Sequence, residues 1–175
     1  MADHRPRVPT RVWHLEMRSP DALRPARDPG PHVRVERAAV PLPALNRFFY
    51  VEVGRGHHWV DRLDWPLERW RAYVDRPQLH TWLVYEHGTP GGYAELEARR
   101  DGSVQLAFFG LLPAFRGRGL GGHLLSEVLS AAWAAIPTHI TVTTCELDGP
   151  HAADNYRRRG LRVVRETVEP RPRAA

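Results

Sequence analysis

One segment constrains the chain more than any other. Residues 108–123 read Phe-Phe-Gly-Leu-Leu-Pro-Ala-Phe-Arg-Gly-Arg-Gly-Leu-Gly-Gly-His. An apolar run enters a glycine-rich turn, and the turn opens a helix. Leu120, Leu124, Leu125, Val128, Leu129 and Ala132 then recur at helical spacing over residues 119–135. The β-branched run Ile140-Thr141-Val142-Thr143-Thr144 follows. Two strands joined by a helical crossover lie parallel and side by side. At the turn, Gly117, Gly119, Gly121 and Gly122 let the backbone approach a ligand without Cβ interference. The first N–H groups of a helix lack partners within it, and the helix dipole favours an anion there. Arg116 and Arg118 add positive charge. The local chemistry is that of a pyrophosphate site.

The surrounding pattern sets the architecture. Residues 81–86, 92–98 and 103–112 are apolar or β-rich runs separated by the turns His87-Gly88-Thr89-Pro90-Gly91 and Asp101-Gly102, an antiparallel meander. Upstream, residues 32–40 alternate as a strand, and residues 11–17 alternate weakly as a short one. Helical spacing appears over 41–53 and again after Pro66, where Leu67, Trp70 and Val74 share a face. Downstream, a short helix over 150–159 is closed by Gly160, and a last strand spans 161–168. Proline- and arginine-rich ends at 1–10 and 170–175 read as loose tails, leaving 11–169 as one domain. A chain of 175 residues supports one sizeable core. The fold class is therefore α/β, a mixed sheet with flanking helices.

Two nucleotide-binding readings of the glycine turn are testable from sequence. A P-loop needs lysine at the helix start, and the chain contains no lysine. Gly117, Gly119 and Gly122 do spell G-x-G-x-x-G, but a meander precedes them and too little chain follows for a doubly wound domain. A third reading fits more of the chain. Arg116-Gly117-Arg118-Gly119-Leu120-Gly121 resembles the R/Q-x-x-G-x-G/A motif of the GCN5-related N-acetyltransferases (GNAT). Leu111-Leu112-Pro113-Ala114-Phe115 is similar to the family's approach to that motif. Tyr156-Arg157-Arg158-Arg159-Gly160-Leu161 is similar to its Tyr-x-x-x-Gly-Phe segment. The resemblance covers residues 81–168 in order and spacing.

The resemblance implies a GNAT-like fold: one mostly antiparallel mixed sheet with a splayed parallel strand pair and flanking helices. It implies acetyl transfer from acetyl-CoA, as acyl-donor cosubstrate, to a primary amine in a ternary complex. Backbone groups of Phe109, Gly110, Leu111 and Leu112 would hold the pantetheine arm. Those of Arg116, Gly117, Arg118, Gly119, Leu120, Gly121 and Gly122 would hold the pyrophosphate. Tyr156 would protonate the leaving thiolate. The family often has an asparagine seven residues before that tyrosine; here the position is Gly149.

The acceptor side carries fewer signals. An attacking ammonium must first lose a proton, and a carboxylate or histidine accepts it. Glu95 and Glu97 share one face of a strand, with Gln105 on the neighbouring strand, and Glu95 is the first candidate base; Glu146 is another. His57, His58, Trp59 and Asp61 lie in a segment suited to walling an organic acceptor and holding its cation. Adjacent histidines without a spaced partner do not make a metal motif, so no metal is expected. Cys145, the lone cysteine, reads as an inert thiol, and Arg157, Arg158 and Arg159 as a solvated helix end that could reach the 3′-phosphate of CoA.

Charge and composition bound the partners. The net charge of +5 is modest, every basic residue is arginine, and acids are interspersed among them, which argues against a dedicated nucleic-acid binder. No apolar run is long enough to span a membrane, and the first residues lack a signal peptide's apolar stretch, so a cytoplasmic location is expected. A small-molecule amine is the expected acceptor. Homodimers are common in the family, although no interface is legible here. A non-catalytic acyl-CoA-binding module is the main alternative function.

Overall fold

The structure, a computed structural model, describes residues 6–172. Seven strands form one sheet in the order β2-β3-β4-β5-β6-β1-β7. They are β1 (Arg7–Met17), β2 (Val33–Arg37), β3 (Leu79–Glu86), β4 (Thr89–Ala98), β5 (Val104–Leu111), β6 (Ile140–Cys145) and β7 (Arg162–Pro172). Four helices flank them: α1 (Pro43–Gly54), α2 (Leu67–Val74), α3 (Leu120–Trp133) and α4 (Ala152–Arg158). The β3-β4-β5 meander is antiparallel, and β5 and β6 run parallel through the α3 crossover.

The parallel pair is short, and this makes the site. β5 and β6 are in register only from Val104–Ile140 to Leu106–Val142. Beyond that point each strand follows its other neighbour. Phe108 to Leu111 stay paired with β4, where the register shifts at Glu95/Leu96. Thr143 to Cys145 stay paired with β1. A register shift of this kind bends a strand and tightens its twist. The two strands therefore part and leave a wedge in the sheet.

Alternation along the strands sorts the helices onto two faces. Val84, Ala94, Leu96, Leu106 and Val142 pack with the apolar stripe of α3, whose Leu124, Leu125, Val128 and Leu129 are fully buried. Leu83 and Tyr93 point the other way and pack with Phe49 and Val53 of α1. Trp70 and Val74 of α2 close a third cluster with Tyr50 and Leu79. Pro66 sits one residue ahead of α2 as its cap, and the helix ends ahead of Pro77.

The ends of the chain differ from the sequence expectation. Arg7–Pro9 and Pro170–Pro172 are not tails: they pair with one another as the outer parts of β1 and β7. Residues 1–5 and 173–175 lie outside the described residues. β1 is an 11-residue strand inserted between β6 and β7, so the N-terminal segment completes the sheet beside the wedge. Its alternation is disguised. Thr10 and Val12 face the core, then a register shift at His14/Leu15 moves the buried set to Leu15 and Met17. β2 is shorter than the 32–40 run, and β7 extends beyond residue 168.

Candidate functional site: a cavity in the splayed sheet

The wedge opens a cavity of about 1020 Å³. Ala107 to Leu111 form one wall and Val142 to Cys145 the other. The glycine turn before α3 forms one end. Gly117 and Gly119 have φ of +74° and +81°, a region that L side chains rarely enter, and a Cβ at either would meet only open space. No side chain caps the start of α3. Gly119, Gly121 and Gly122 line the cavity end, and no side-chain acceptor competes there for the leading N–H groups, as an anion site requires.

The residues expected at the turn separate into two groups. Arg116, Gly117, Gly119, Gly121 and Gly122 line the cavity, with Phe109, Gly110 and Leu111 on its wall. Arg116 also ties the β5 wall to α1, donating from Nε to the Leu111 carbonyl at 3.1 Å and from Nη2 to the Val53 carbonyl at 3.4 Å. Three side chains are employed elsewhere. Arg118 turns away to Glu86, 2.8 Å from its carboxylate. Leu120 is buried under the sheet, and Leu112 packs against the α1 cluster. Only the backbone of these three can serve a ligand.

Further cations converge on the same end. Arg27, Asn155, Arg158 and Arg159 line the cavity. A Cβ on Gly122 would stand 2.9 Å from Arg159 Nη1, so the absent side chain admits that guanidinium to the start of α3. Arg27 is carried in by the proline-rich segment 19–31, which is pinned when Ala26 N–H donates to Ser126 Oγ at 2.8 Å and Arg24 N–H to the Arg159 carbonyl at 3.1 Å. Sequence reasoning passed over Arg27, because that loop has no periodicity, and treated the Arg157-Arg158-Arg159 run mainly as a helix end.

Tyr156 projects from α4 into the cavity, with its ring centre 6.0 Å from that of Phe109. Burial first, and the nearby Asp148 carboxylate second, push its phenol well above the ordinary tyrosine range. The hydroxyl therefore stays protonated at any physiological pH. Asp148 is a second residue the sequence did not single out. Its Oδ2 accepts from Thr144 Oγ1 at 2.6 Å and from the Cys145 N–H at 3.0 Å, which fixes the loop after β6. Its Oδ1 accepts from Trp59 Nε1 at 3.4 Å, a hydrogen bond that bridges the mouth of the wedge.

His57, His58, Trp59 and Asp61 all line the cavity. A Cβ on Gly149 would meet His57 Cε1 at 3.1 Å, so the imidazole rests against the spot where a side chain at 149 would begin. Burial, reinforced by Arg116 and partly offset by Asp148, lowers the His57 pKa below the ordinary histidine value. The ring is neutral at neutral pH. Its Nδ1 is buried without a hydrogen-bond partner.

Glu95 does not line the cavity. It is fully buried behind Phe108, its register partner on β5. Asn46 Nδ2 donates to Oε1 at 2.8 Å, and the Tyr73 hydroxyl donates to Oε2 at 2.5 Å. Burial raises the Glu95 pKa, against which Tyr73, Asn46, Arg62 and Arg76 pull down. Glu97 is bound by Arg76 at 2.7 Å, and Glu146 accepts the Arg11 N–H at 2.8 Å and so anchors β1. Burial raises the Cys145 thiol, in keeping with an inert sulfhydryl. Among the described residues, no group of three or more His, Cys, Asp or Glu is placed to hold a metal ion, and no helix is long and apolar enough to cross a membrane.

Comparison with known proteins bears on this arrangement. Residues 43–161 match the model of the acetyltransferase (GNAT) family. No curated protein sequence matches at a significant level. Among solved structures, a GCN5-related N-acetyltransferase from Kribbella flavida superposes with a TM-score of 0.67 at 20% identity, over 94% of this chain and 59% of that one. One from Sphaerobacter thermophilus gives 0.64 at 18%, over 97% and 55%. An aminoglycoside N-acetyltransferase in complex with CoA gives 0.61 at 18%, over 83% and 97%. The chain thus spans little more than half the length of the first two. At these identities the superpositions establish the fold; the family match covers the two helices, the meander, the glycine turn and Tyr156 together. The chain belongs to the GNAT acetyltransferase family.

Proposed function

We propose that this protein transfers an acetyl group from acetyl-CoA to a primary amine on a small molecule. One observation carries the reading: a single cavity joins an uncapped, glycine-opened helix start, a parted parallel strand pair and a buried, protonated tyrosine. The first suits a pyrophosphate, helped by Arg27, Arg158 and Arg159. The second exposes the peptide groups of Ala107 to Leu111 along one wall for an extended pantetheine arm. The third suits a leaving thiolate.

The chemistry follows from these groups. A base takes one proton from the acceptor ammonium. The freed nitrogen forms a bond to the thioester carbonyl carbon. When the carbon–sulfur bond breaks, Tyr156 gives its proton to sulfur; one of the two protons left on nitrogen restores the phenol through solvent, and the other stays on the amide. The products are the acetamide, CoA and one released proton. Two residues compete for the base. His57 is neutral and lines the cavity. Glu95 has a raised pKa, yet it reaches the acceptor only if the Asn46, Tyr73 and Phe108 cover opens. The aromatic wall of Trp59 and Tyr50, with Asp61 at its rim, supports an organic cation as acceptor.

The test is calorimetric titration of the purified protein with acetyl-CoA, using NAD as comparator. Acetyl-CoA binds and NAD does not. Gly119→Val puts a β-branched side chain at φ +81° on the turn and weakens acetyl-CoA about tenfold or more, through about 1–3 kcal/mol of backbone strain that binding would have to meet. Equal binding of both ligands, or an undiminished Gly119→Val affinity, would remove the assignment of the turn.

A further inference from the structure

Five rings surround one guanidinium between α1, α2 and β5. Arg62 Cζ lies 4.0 Å from the centre of Tyr73, 4.4 Å from Phe108, 4.6 Å from Trp65, 5.9 Å from Trp70 and 6.0 Å from Tyr50. The rings also hold one another. Tyr50 meets Phe108 at 5.3 Å and Trp70 at 5.5 Å, and Trp65 meets Trp70 at 5.3 Å and Tyr73 at 5.8 Å. A box of ring faces is a general receptor for organic cations.

Arg62 enters this box from a loop, and its backbone N–H donates to the Tyr50 hydroxyl at 3.1 Å. It comes from the turn segment between α1 and α2, where Asp61, Leu63 and Asp64 are exposed, and it is only half-buried. Its Nη1 is buried with no hydrogen-bond partner. The carboxylate beneath the box, Glu95, accepts from Asn46 and Tyr73 rather than from Arg62. An arginine placed to neutralise Glu95 would present its fork to that carboxylate; this one is held by ring faces. The box also adjoins the cavity, because Tyr50 and Phe108 are walls of both.

We propose that Tyr50, Trp65, Trp70, Tyr73 and Phe108 form the subsite for a cationic group of the acceptor, an alkylammonium or guanidinium, and that Arg62 stands in for it until the acceptor binds. Exchange needs the turn segment to move with Trp65 on it, while Tyr50 of α1, Trp70 and Tyr73 of α2 and Phe108 of β5 keep their places. The swap is cation for cation, so the positive charge that Arg62 adds to that of Arg76 near Glu95 is kept; a neutral ligand would remove it. The site uncovered by Arg62 is also the one through which an acceptor ammonium would come nearest to Glu95. Calling the ligand an acceptor rests on the acetyl-transfer reading; the cation site itself does not.

The probes are n-butylguanidinium and, as neutral control, n-butanol, both without acetyl-CoA. In the parent protein, n-butylguanidinium quenches or shifts the tryptophan fluorescence and speeds hydrogen exchange of residues 55–66 at least threefold; n-butanol does neither. Arg62→Ala binds n-butylguanidinium at least tenfold more tightly than the parent, and its melting temperature rises with the probe. Trp65→Ala in the Arg62→Ala background loses that gain. Unchanged exchange in the parent would show that Arg62 is a fixed structural residue and would overturn the proposal, even if the probe refills the hole in Arg62→Ala. So would equal response to n-butanol, or an Arg62→Ala protein that folds neither with nor without the probe. Failure of acetyl-CoA to bind would leave these results standing, and failure of the probe would leave acetyl transfer standing.

Discussion

Tyr156→Phe lowers kcat by about a hundredfold while the KM for acetyl-CoA stays within about twofold, the range expected when a general acid is removed but binding contacts persist. The phenyl ring keeps the contact with Phe109 that the tyrosine makes. What it loses is the hydroxyl proton that the proposed mechanism gives to the departing sulfur. Burial and Asp148 both disfavour the phenolate, so Tyr156 remains protonated across the usable pH range and contributes no basic limb to the rate profile. Steady-state kinetics by thiol release reads both parameters. An unchanged kcat would mean that the thiolate leaves unassisted or takes its proton from water. A raised KM with unchanged kcat would make Tyr156 a binding residue only.

Gly160→Ala costs about 3–4 kcal/mol of stability, from strain at positive φ together with overpacking. Gly160 sits just past α4 at φ +101°, and a Cβ there would overlap the carbonyl oxygen of Ala22. The glycine lets the chain leave α4 by a left-handed residue, with Gly160 N–H bonded to the Arg157 carbonyl and Leu161 N–H to the Tyr156 carbonyl. For a domain of this size the loss corresponds to a fall in melting temperature of about 10 °C. Because the same turn orients α4, activity falls further than the unfolded fraction accounts for. A melting temperature within about 2 °C of the parent would show that the segment at Ala22 moves aside freely.

The parts legible in the sequence obey local rules. The glycine turn, the α3 stripe, the crossover and Gly160 each announce themselves within a few residues of chain. The parallel β5–β6 pair follows from the crossover, and with it the idea of a wedge. The place of β1 does not. Its register shift at His14/Leu15 breaks the alternation that would mark an 11-residue strand, and nothing local says that it enters between β6 and β7. The site divides in the same way. The backbone cradle at Gly117 and Gly119 is local and was legible. Arg27 and Asp148 belong to the site because distant segments fold over it. Glu95 is the instructive case. Its strand and face were readable, but Asn46 of α1 and Tyr73 of α2 seal it, and those contacts are wholly tertiary. The Arg62 box is assembled from α1, α2, β5 and the turn between the two helices, and has no sequence signature at all.

The most direct test of the account is acetyl-CoA-dependent thiol release against a panel of primary amines, run with the parent protein and with Tyr156→Phe. The account expects release that requires both acetyl-CoA and an amine, favours organic cations over neutral amines of the same size, and drops about a hundredfold in the variant. Binding of acetyl-CoA with no amine-dependent release from any member of the panel would contradict it, and would make the chain an acyl-CoA-binding module with the family's fold.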